Sequence, residues 1–370
     1  MQNTRFMASA MRYARRGVYH TTPNPNVGCV LVKDDQEIAV GWHQKAGEAH
    51  AEINAINKAG SNAKGSTAYV TLEPCSHHGK TGPCADALIE AGISKVFVAM
   101  LDPNPLVAGN GVKRLQQAGI EVNVGLLESR ARQLNPGFIK RMEHSLPFIR
   151  VKMAMSLDGR TAMASGESKW VTGPEARQDV QQMRARSSAI LTGIGTVLAD
   201  DPSLNVRLGT DALGIQREVR QPLRVILDTD GRLPEDAKLL NLDGQVLLLT
   251  ADKSKLFKHP NLMVEQVATK DGKLDLNDVM RVLVEHEIND VHVEAGSVLS
   301  GALLSANLVD EIVIYMASHL MGDDAQGLFT LPGIKNMQQR IDLKIEDIRA
   351  VGDDWRITAK PINKDRLEQK

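Results

Sequence analysis

Aromatic residues make up only 4% of the chain, so small and aliphatic side chains must carry the core. Cysteine is scarcer still, at three residues, which cannot all pair internally and do not form the disulfide framework of a small secreted scaffold. Excess charge is absent: 44 basic and 45 acidic residues leave a formal charge of −1, with no basic stripe of the kind that grips nucleic acid. No run approaches the roughly 18 apolar residues of a membrane span. The polar opening MQNTRFMASAMRYARRG lacks the apolar centre of a signal peptide. These absences predict a cytoplasmic protein with neither a membrane nor a nucleic-acid partner. What remains is an ordinary globular composition over 370 residues, enough for about two domains.

The order along the chain alternates. Phe6, Met7, Ala10, Met11 and Ala14 recur at helical spacing and predict a helix over 4–16, ended by Gly17. Thr22-Pro23-Asn24-Pro25-Asn26 predicts a loop stiffened by two prolines. Strands are predicted over 27–32, 37–40, 67–72 and 95–100, and helices over 50–58 and 84–91, with one more helix and strand before Leu127. Such alternation implies a layered sheet flanked by helices. Residues 128–144 are charged, interrupted at Pro136-Gly137 and followed by Pro147, and read as the connection between domains 1–145 and 146–370. A second alternating pattern has strands over 148–155, 189–191, 224–227, 245–250, 290–294, 311–316 and 355–359, and helices over 174–185, 276–287 and 298–306. The halves do not resemble one another, which predicts two different jobs.

The densest chemistry lies between residues 50 and 84, where His50-Ala51-Glu52 precedes Pro74-Cys75 and Pro83-Cys84. A metal that activates water needs three protein ligands and one open position, and His50, Cys75 and Cys84 supply the three. Glu52, two residues from the histidine, is free to move protons. Cys84 stands at a predicted helix start, where the dipole favours thiolate. The order H-x-E…P-C…C is the signature of zinc-dependent base deaminases. The competing readings are no metal at all, or a structural zinc site with His43, His77 or His78 as fourth ligand. Such sites usually bring tight Cys-x-x-Cys pairs, and they have no use for Glu52. Cys29, inside VGCVLV, reads as a small buried hydrophobe.

Eight residues separate Cys75 from Cys84, whereas typical cytidine, adenosine and guanine deaminases carry PCxxC. The longer loop PCSHHGKTGPC resembles that of the bacterial bifunctional riboflavin-biosynthesis deaminase–reductases. So do TPNPNVG from Thr22, Gly41-Trp42-His43, Asp102-Pro103-Asn104-Pro105, KMAMSLDGR from Lys152, TGIGT from Thr192, and Glu294-Ala295-Gly296 before LVDE. The resemblance covers nearly the whole chain in the same order. Lys80 stands where an arginine is commoner in that family, and Gly82 where a proline is. The family has a cytidine-deaminase-like three-layer α/β/α domain followed by a dihydrofolate-reductase-like α/β domain. The resemblance therefore implies zinc held by His50, Cys75 and Cys84, proton transfer by Glu52, and substrate contacts at Asn24, His43, His77 and Lys80. The implied reaction is hydrolytic deamination of a phosphoribosylamino-pyrimidinone. Read from the residues alone, Asn24 is equally a turn residue, and Lys80 equally a solvated loop charge.

In the second half, Gly193-Ile194-Gly195-Thr196-Val197-Leu198 lacks the third glycine of a dinucleotide fingerprint, which argues against a Rossmann dehydrogenase. The stretch from Val293 to Ala302 runs from a strand through Gly296 into a helix start, a place suited to a pyrophosphate. The resemblance implies NADPH-dependent reduction of a ribosyl group to ribityl. It places Ala154, Trp170, Thr196, Asp200, Gly296, Ser297, Val298, Leu299, Ser300, Gly301 and Ala302 at the cofactor. It places Ser168, Arg184, Leu204, Arg207 and Glu294 at the substrate, where a guanidinium suits a phosphate. Asp200 and Glu294 are both candidates for the acid. Pairing into a homo-oligomer through the reductase domain is a further implication. Two other readings compete: a zinc deaminase acting on a free base, nucleoside or tRNA with an unrelated second domain, and a zinc-stabilised binding module. The long loop and the missing basic face argue against the first, and Glu52 against the second.

Overall fold

The computed structural model describes residues 2–76, 82–105, 107–168, 170–255 and 257–362. They form two compact units, Met1–Leu146 and Pro147–Lys370. Among the described residues no helix is long and apolar enough to cross a membrane.

The first unit is built on a sheet of β1 (Gly28–Lys33), β2 (Gln36–Trp42), β3 (Thr67–Val70), β4 (Lys95–Val98) and β5 (Glu121–Val124), in the order β2-β1-β3-β4-β5. β1 runs antiparallel to both its neighbours, and β3, β4 and β5 are parallel. Period-2 alternation sorts β1 onto two faces. Cys29 and Leu31 join one apolar cluster with residues of α2 (Ala51–Ala59), α3 (Cys84–Glu90) and α4 (Asn110–Gln117), while Val30 and Val32 join another with α1 (Gln2–Ala14) and α5 (Pro136–His144). Helices on both faces make three layers. α1 starts two residues before the predicted boundary and ends in a 3-10 turn at Arg15–Gly17. The inner face of α2 is Ala51, Ala55 and Ala59, at i, i+4 and i+8, so the helix lies close on the sheet. At Gly41 a Cβ would stand 2.1 Å from the Ala51 carbonyl oxygen, so only glycine admits this approach of β2 to the start of α2. That contact seats His50 and Glu52.

The second unit carries a nine-stranded sheet in the order Leu262–Gln266, Val246–Thr250, Leu223–Leu227, Ala189–Gly193, Asp290–Val293, Phe148–Ser156, Glu311–Ala317, Asp354–Pro361, Leu343–Val351. The first seven are parallel, and the last two pair antiparallel. The helix Pro174–Arg186 packs Ala176, Val180 and Met183 against Val313 and Tyr315, and Asp179 accepts from Tyr315 Oη at 2.5 Å and from Arg356 at 2.8 Å. Leu343–Val351 and Leu262–Gln266 escaped the periodicity reading. Both lie at sheet edges, where one side lacks a strand partner and exposure is mixed, so alternation is weak. The helix Ile194–Asp200 escaped it too, hidden behind the glycines of TGIGT.

Candidate active sites

His50 immediately precedes α2, Glu52 falls in its first turn, Cys75 lies in the loop after β3, and Cys84 opens α3. The fold brings these four together. His50 Nδ1 lies 3.6 Å from Cys75 Sγ and 3.3 Å from Cys84 Sγ. A tetrahedral zinc with ordinary Zn–S and Zn–N bonds sets such N···S separations at about 3.6 Å. The three ligand atoms lie within 4.8 Å of one another, and no fourth His, Cys, Asp or Glu joins them among the described residues. The donor set therefore fits a three-ligand zinc. Glu52 is buried, and burial drives its pKa up to about 7 against the pull of His50. Cys84 opens α3 as expected, and the helix start also serves the other cysteine. The first N–H groups of α3 serve Cys75, with Cys84 N–H donating to Cys75 Sγ (3.3 Å) and Ala85 N–H to the Cys75 carbonyl (3.1 Å). Hydrogen bonding from Cys84 and His50 lowers the pKa of Cys75. The helix thus favours the thiolate one loop away.

Asn24 and His43 stand beside this cluster. Asn24 Nδ2 lies 3.2 Å from His43 Nε2, His43 Nδ1 lies 3.2 Å from the Ala49 carbonyl, and the His43 and His50 rings meet edge-on at 5.3 Å. The carbonyl assigns the proton to Nδ1, so Nε2 accepts from Asn24. Burial lowers the pKa of His43. His77 and Lys80 lie outside the described residues.

In the second unit, three adjacent parallel strands, Ala189–Gly193, Asp290–Val293 and Phe148–Ser156, share one carboxyl edge. That edge is where open α/β sheets bind ligands. The first strand turns at Gly193 into the helix Ile194–Asp200, which carries Thr196, and the second turns at Gly296 into the helix Ser297–Ser305. A Cβ at Gly195 or Gly296 would meet nothing within 4 Å, so open space lies at both turns, as a cofactor requires. Ser300 Oγ lies 3.4 Å from Met153 Sδ, next to Ala154. Trp170 is 75% exposed with the Arg177 guanidinium 4.5 Å over its ring, and Ser168 is half-buried. Asp200 is exposed, the last residue of its short helix.

Arg184 meets Glu294 with a two-pronged contact, Nε to Oε1 at 2.5 Å and Nη2 to Oε2 at 2.8 Å, and its Nη1 donates to the Asn205 carbonyl at 2.9 Å. Arg207 N–H donates to Gln181 Oε1 at 2.7 Å. These bonds fasten the 204–207 segment to the helix Pro174–Arg186 and gather Leu204, Arg207, Arg184 and Glu294. The Leu204 side chain is buried. Burial alone would push the Glu294 carboxyl up, but the Arg184 charge and hydrogen bonds outweigh it and hold it well below the usual carboxylate range.

Residues 147–357 match the family profile described as the RibD C-terminal domain, and residues 1–100 match the cytidine and deoxycytidylate deaminase zinc-binding region. The riboflavin biosynthesis protein RibD of Escherichia coli is 50% identical over 96% of this chain and 98% of its own; that of Haemophilus influenzae is 49% identical over 97% and 98%. The solved structure of Acinetobacter baumannii RibD superposes with a TM-score of 0.90 at 45% identity, covering 98% of this chain and 99% of that one. A Thermotoga maritima structure described as a diaminohydroxyphosphoribosylaminopyrimidine deaminase/5-amino-6-(5-phosphoribosylamino)uracil reductase superposes at 0.86 with 34% identity, covering the same shares. The chain belongs to the RibD family. It is a two-activity enzyme of riboflavin biosynthesis, a zinc-dependent deaminase and an NADPH-dependent reductase acting on a small molecule.

Within this RibD fold the structure adds three residues to which the sequence reading gave no role. Glu73 is buried just ahead of Pro74-Cys75 and accepts four backbone N–H groups, from Asp102 (3.1 Å) and Gly109 (2.9 Å) on Oε2 and from Gly111 (2.9 Å) and Val112 (3.2 Å) on Oε1. It joins the proline-rich 102–105 loop and the start of α4 to the strand end that leads to Cys75. At Gly111 a Cβ would stand 2.0 Å from the Pro74 carbonyl oxygen, so the two segments touch. Lys152 is half-buried near Glu294 and Arg184, and burial lowers its pKa. His292 is fully buried beside Glu294. The signal for Glu73 and His292 is a polar residue at the end of, or inside, an apolar strand. Such a residue needs a partner that the local sequence does not name.

Proposed function

We propose that residues 1–145 deaminate 2,5-diamino-6-(5-phosphoribosylamino)pyrimidin-4-one and that residues 146–370 then reduce the ribosyl group of that product to ribityl. The observation that carries the first step is the three-donor cluster of His50, Cys75 and Cys84 beside the buried, non-clustered Glu52. Zinc in that cluster supplies a Lewis acid that makes a water nucleophilic near neutral pH. Glu52, its carboxyl poised near neutrality by burial, takes the proton of the attacking water and passes it to the departing ammonia. Because Asn24 donates to His43, its Oδ1 is left to accept from an N–H edge of the base. His43 holds that orientation through the Ala49 carbonyl. His77 and Lys80 complete the site in this reading, the lysine meeting the substrate phosphate.

In the second step Ala154, Trp170, Thr196, Asp200 and the turn Gly296, Ser297, Val298, Leu299, Ser300, Gly301 and Ala302 hold NADPH, which supplies the hydride. Free N–H groups at the start of the helix Ser297–Ser305 suit its pyrophosphate. Ser168, Arg184, Leu204, Arg207 and Glu294 hold the substrate, with the exposed Arg207 offering its guanidinium to the phosphate. Glu294 is the proton carrier. It directly follows its strand and is half-buried against Arg184, whereas Asp200 lies six residues, about 9 Å, along its helix from Ile194 and is exposed. Glu294 starts ionised, so it first accepts the exocyclic N–H proton while the C1′–O4′ bond opens and O4′ takes a proton from water. It returns its proton to the nitrogen as C1′ is reduced.

The test supplies zinc-loaded protein with the phosphoribosylamino-pyrimidinone and follows ammonia, then adds NADPH and follows its absorbance. Glu52→Gln stops ammonia release, keeps zinc, and leaves reduction of the deaminated intermediate intact. Loss of zinc in this variant would make Glu52 a ligand, and persistent ammonia release would remove it as the proton carrier.

The protein is cytoplasmic and a homo-oligomer pairing through residues 146–370. Ile345, Ile348 and Trp355 are 57%, 52% and 47% exposed on one face of the hairpin Leu343–Val351 and Asp354–Pro361, at the free edge of the sheet, a surface that a second copy would cover.

A further inference from the structure

The strand Asp290–Val293 lies in the middle of the nine-stranded sheet, and its residue 292 is a histidine with 0% exposure. Its strand neighbours across the sheet are Arg150 on one side and Ile190 on the other. Two residues further on the same face, Glu294 brings its Oε1 to 3.3 Å from His292 Nε2. Neither ring nitrogen makes an aligned hydrogen bond among the described residues. Burying an imidazole in that condition carries a desolvation cost that an apolar side chain of similar size avoids. The ring is therefore poorly explained as filling.

The charged groups that reach it are Glu294 on its own strand, Arg150 on Phe148–Ser156 and Arg184 on Pro174–Arg186. Asp290 shares its face of the strand, Lys152 follows Arg150 on the neighbouring strand, and Arg150 is itself paired with Glu311. Burial lowers the pKa of His292, so the ring is neutral and carries one N–H. With Glu294 as its near acceptor, that proton belongs on Nε2.

A carboxylate has about four lone-pair positions. The Arg184 fork occupies one on each oxygen of Glu294. His292 Nε2 comes to 3.3 Å from Oε1, where an aligned bond would take that oxygen's second position. One position would then remain, on Oε2. We propose that His292 is a positioning residue for the reduction: it holds Glu294 Oε1 from the interior, so that Arg184 and His292 together leave Oε2 as the oxygen that exchanges a proton with the substrate. The proposal rests on the reading of Glu294 as proton carrier. Catalytic hydrogen bonds that are loose in a ligand-free enzyme tighten in its complex, and the 3.3 Å contact is the one that shortens.

The experiment uses the full-length, zinc-loaded enzyme with 5-amino-6-(5-phosphoribosylamino)uracil and NADPH, comparing His292→Leu, His292→Gln and Glu294→Gln with the parent. Mispositioning of about 1 Å costs up to about a hundredfold in rate. His292→Leu should therefore lower kcat for NADPH oxidation about tenfold to a hundredfold with little change in KM for NADPH. It should also move the acidic limb of kcat/KM to higher pH, because losing a donor raises the Glu294 carboxyl. His292→Gln retains an N–H donor and should recover most of the rate and the parent limb. Ammonia release by the other unit should be unchanged in both. A His292→Leu enzyme with the parent kcat and pH limb overturns the proposal. Where His292→Leu fails to bind NADPH, His292→Gln decides: parent behaviour supports the proposal, and a slow enzyme that still binds NADPH overturns it. Undiminished reduction by Glu294→Gln sinks the proton-carrier reading itself, and this proposal with it.

Discussion

Glu73→Gln should unload the zinc site without touching a ligand. In the parent each carboxylate oxygen of Glu73 accepts two backbone N–H groups, those of Asp102 and Gly109 on one side and of Gly111 and Val112 on the other. Glutamine keeps one oxygen and turns the other into an NH2 group facing two donors. Two N–H groups in a buried place lose their acceptor, at about 1–3 kcal/mol each. The sum, about 2–6 kcal/mol, belongs with the most damaging point changes. For a unit of this size each kcal/mol shifts the midpoint by about 2–4 °C, so the deaminase unit should unfold at least about 4 °C lower. Glu73 lies two residues before Cys75, and Gly111 touches the Pro74 carbonyl, so the strain reaches the ligand directly. Differential scanning calorimetry with metal analysis reads the effect. The first transition falls, zinc per chain drops, and ammonia release falls with it, while NADPH oxidation on preformed deaminated intermediate holds. An E73Q protein that unfolds at the parent temperature with a full zinc complement would refute the argument that these four bonds place Cys75.

Gly41→Val puts branched carbon where a single Cβ already stands 2.1 Å from the Ala51 carbonyl, so α2 must retreat; we expect a loss of at least about 1–3 kcal/mol by thermal melt, with ammonia release weakened and reduction spared. Arg184→Lys keeps the charge but loses the fork on Glu294, and should slow reduction without affecting ammonia release, as a coupled NADPH assay would show. Glu294 is held well below the usual carboxylate range, so its stabilisation is fully present above about pH 4.3 and is lost as pH falls through its folded-state value. Glu294→Gln should flatten that acid dependence in melts of the reductase unit. Zinc ligands bind deprotonated, so retention of metal during dialysis should fall as pH is lowered, with ammonia release lost in parallel and reduction untouched. Ile348→Lys should shift light-scattering mass toward the monomer; an unchanged mass would exclude this hairpin face as the contact.

The difference between what the sequence disclosed and what it hid follows from how each residue does its work. His50, Glu52, Cys75 and Cys84 are legible because a zinc ligand or proton carrier is defined by its own chemistry, and two short motifs contain all four. The layer order is legible because period 2 in β1 and period 3.6 in α1 report burial locally. Glu73 is not, because its meaning lies in donors 29 to 39 residues away. The same holds for the Cys84 N–H at the start of α3, which serves Cys75, a pairing between residues nine apart that sequence order does not name. Leu343–Val351 hid because an edge strand with LKIEDIRAV shows neither a buried stripe nor a clean alternation. His292 makes the point most sharply. A histidine in VHVEAG looks like an interruption of a strand until the strand is placed, and then its ring stands 3.3 Å from the Glu294 carboxylate. Sequence motifs therefore locate the atoms that react, while the residues that hold those atoms in place become visible only once distant segments are brought into contact.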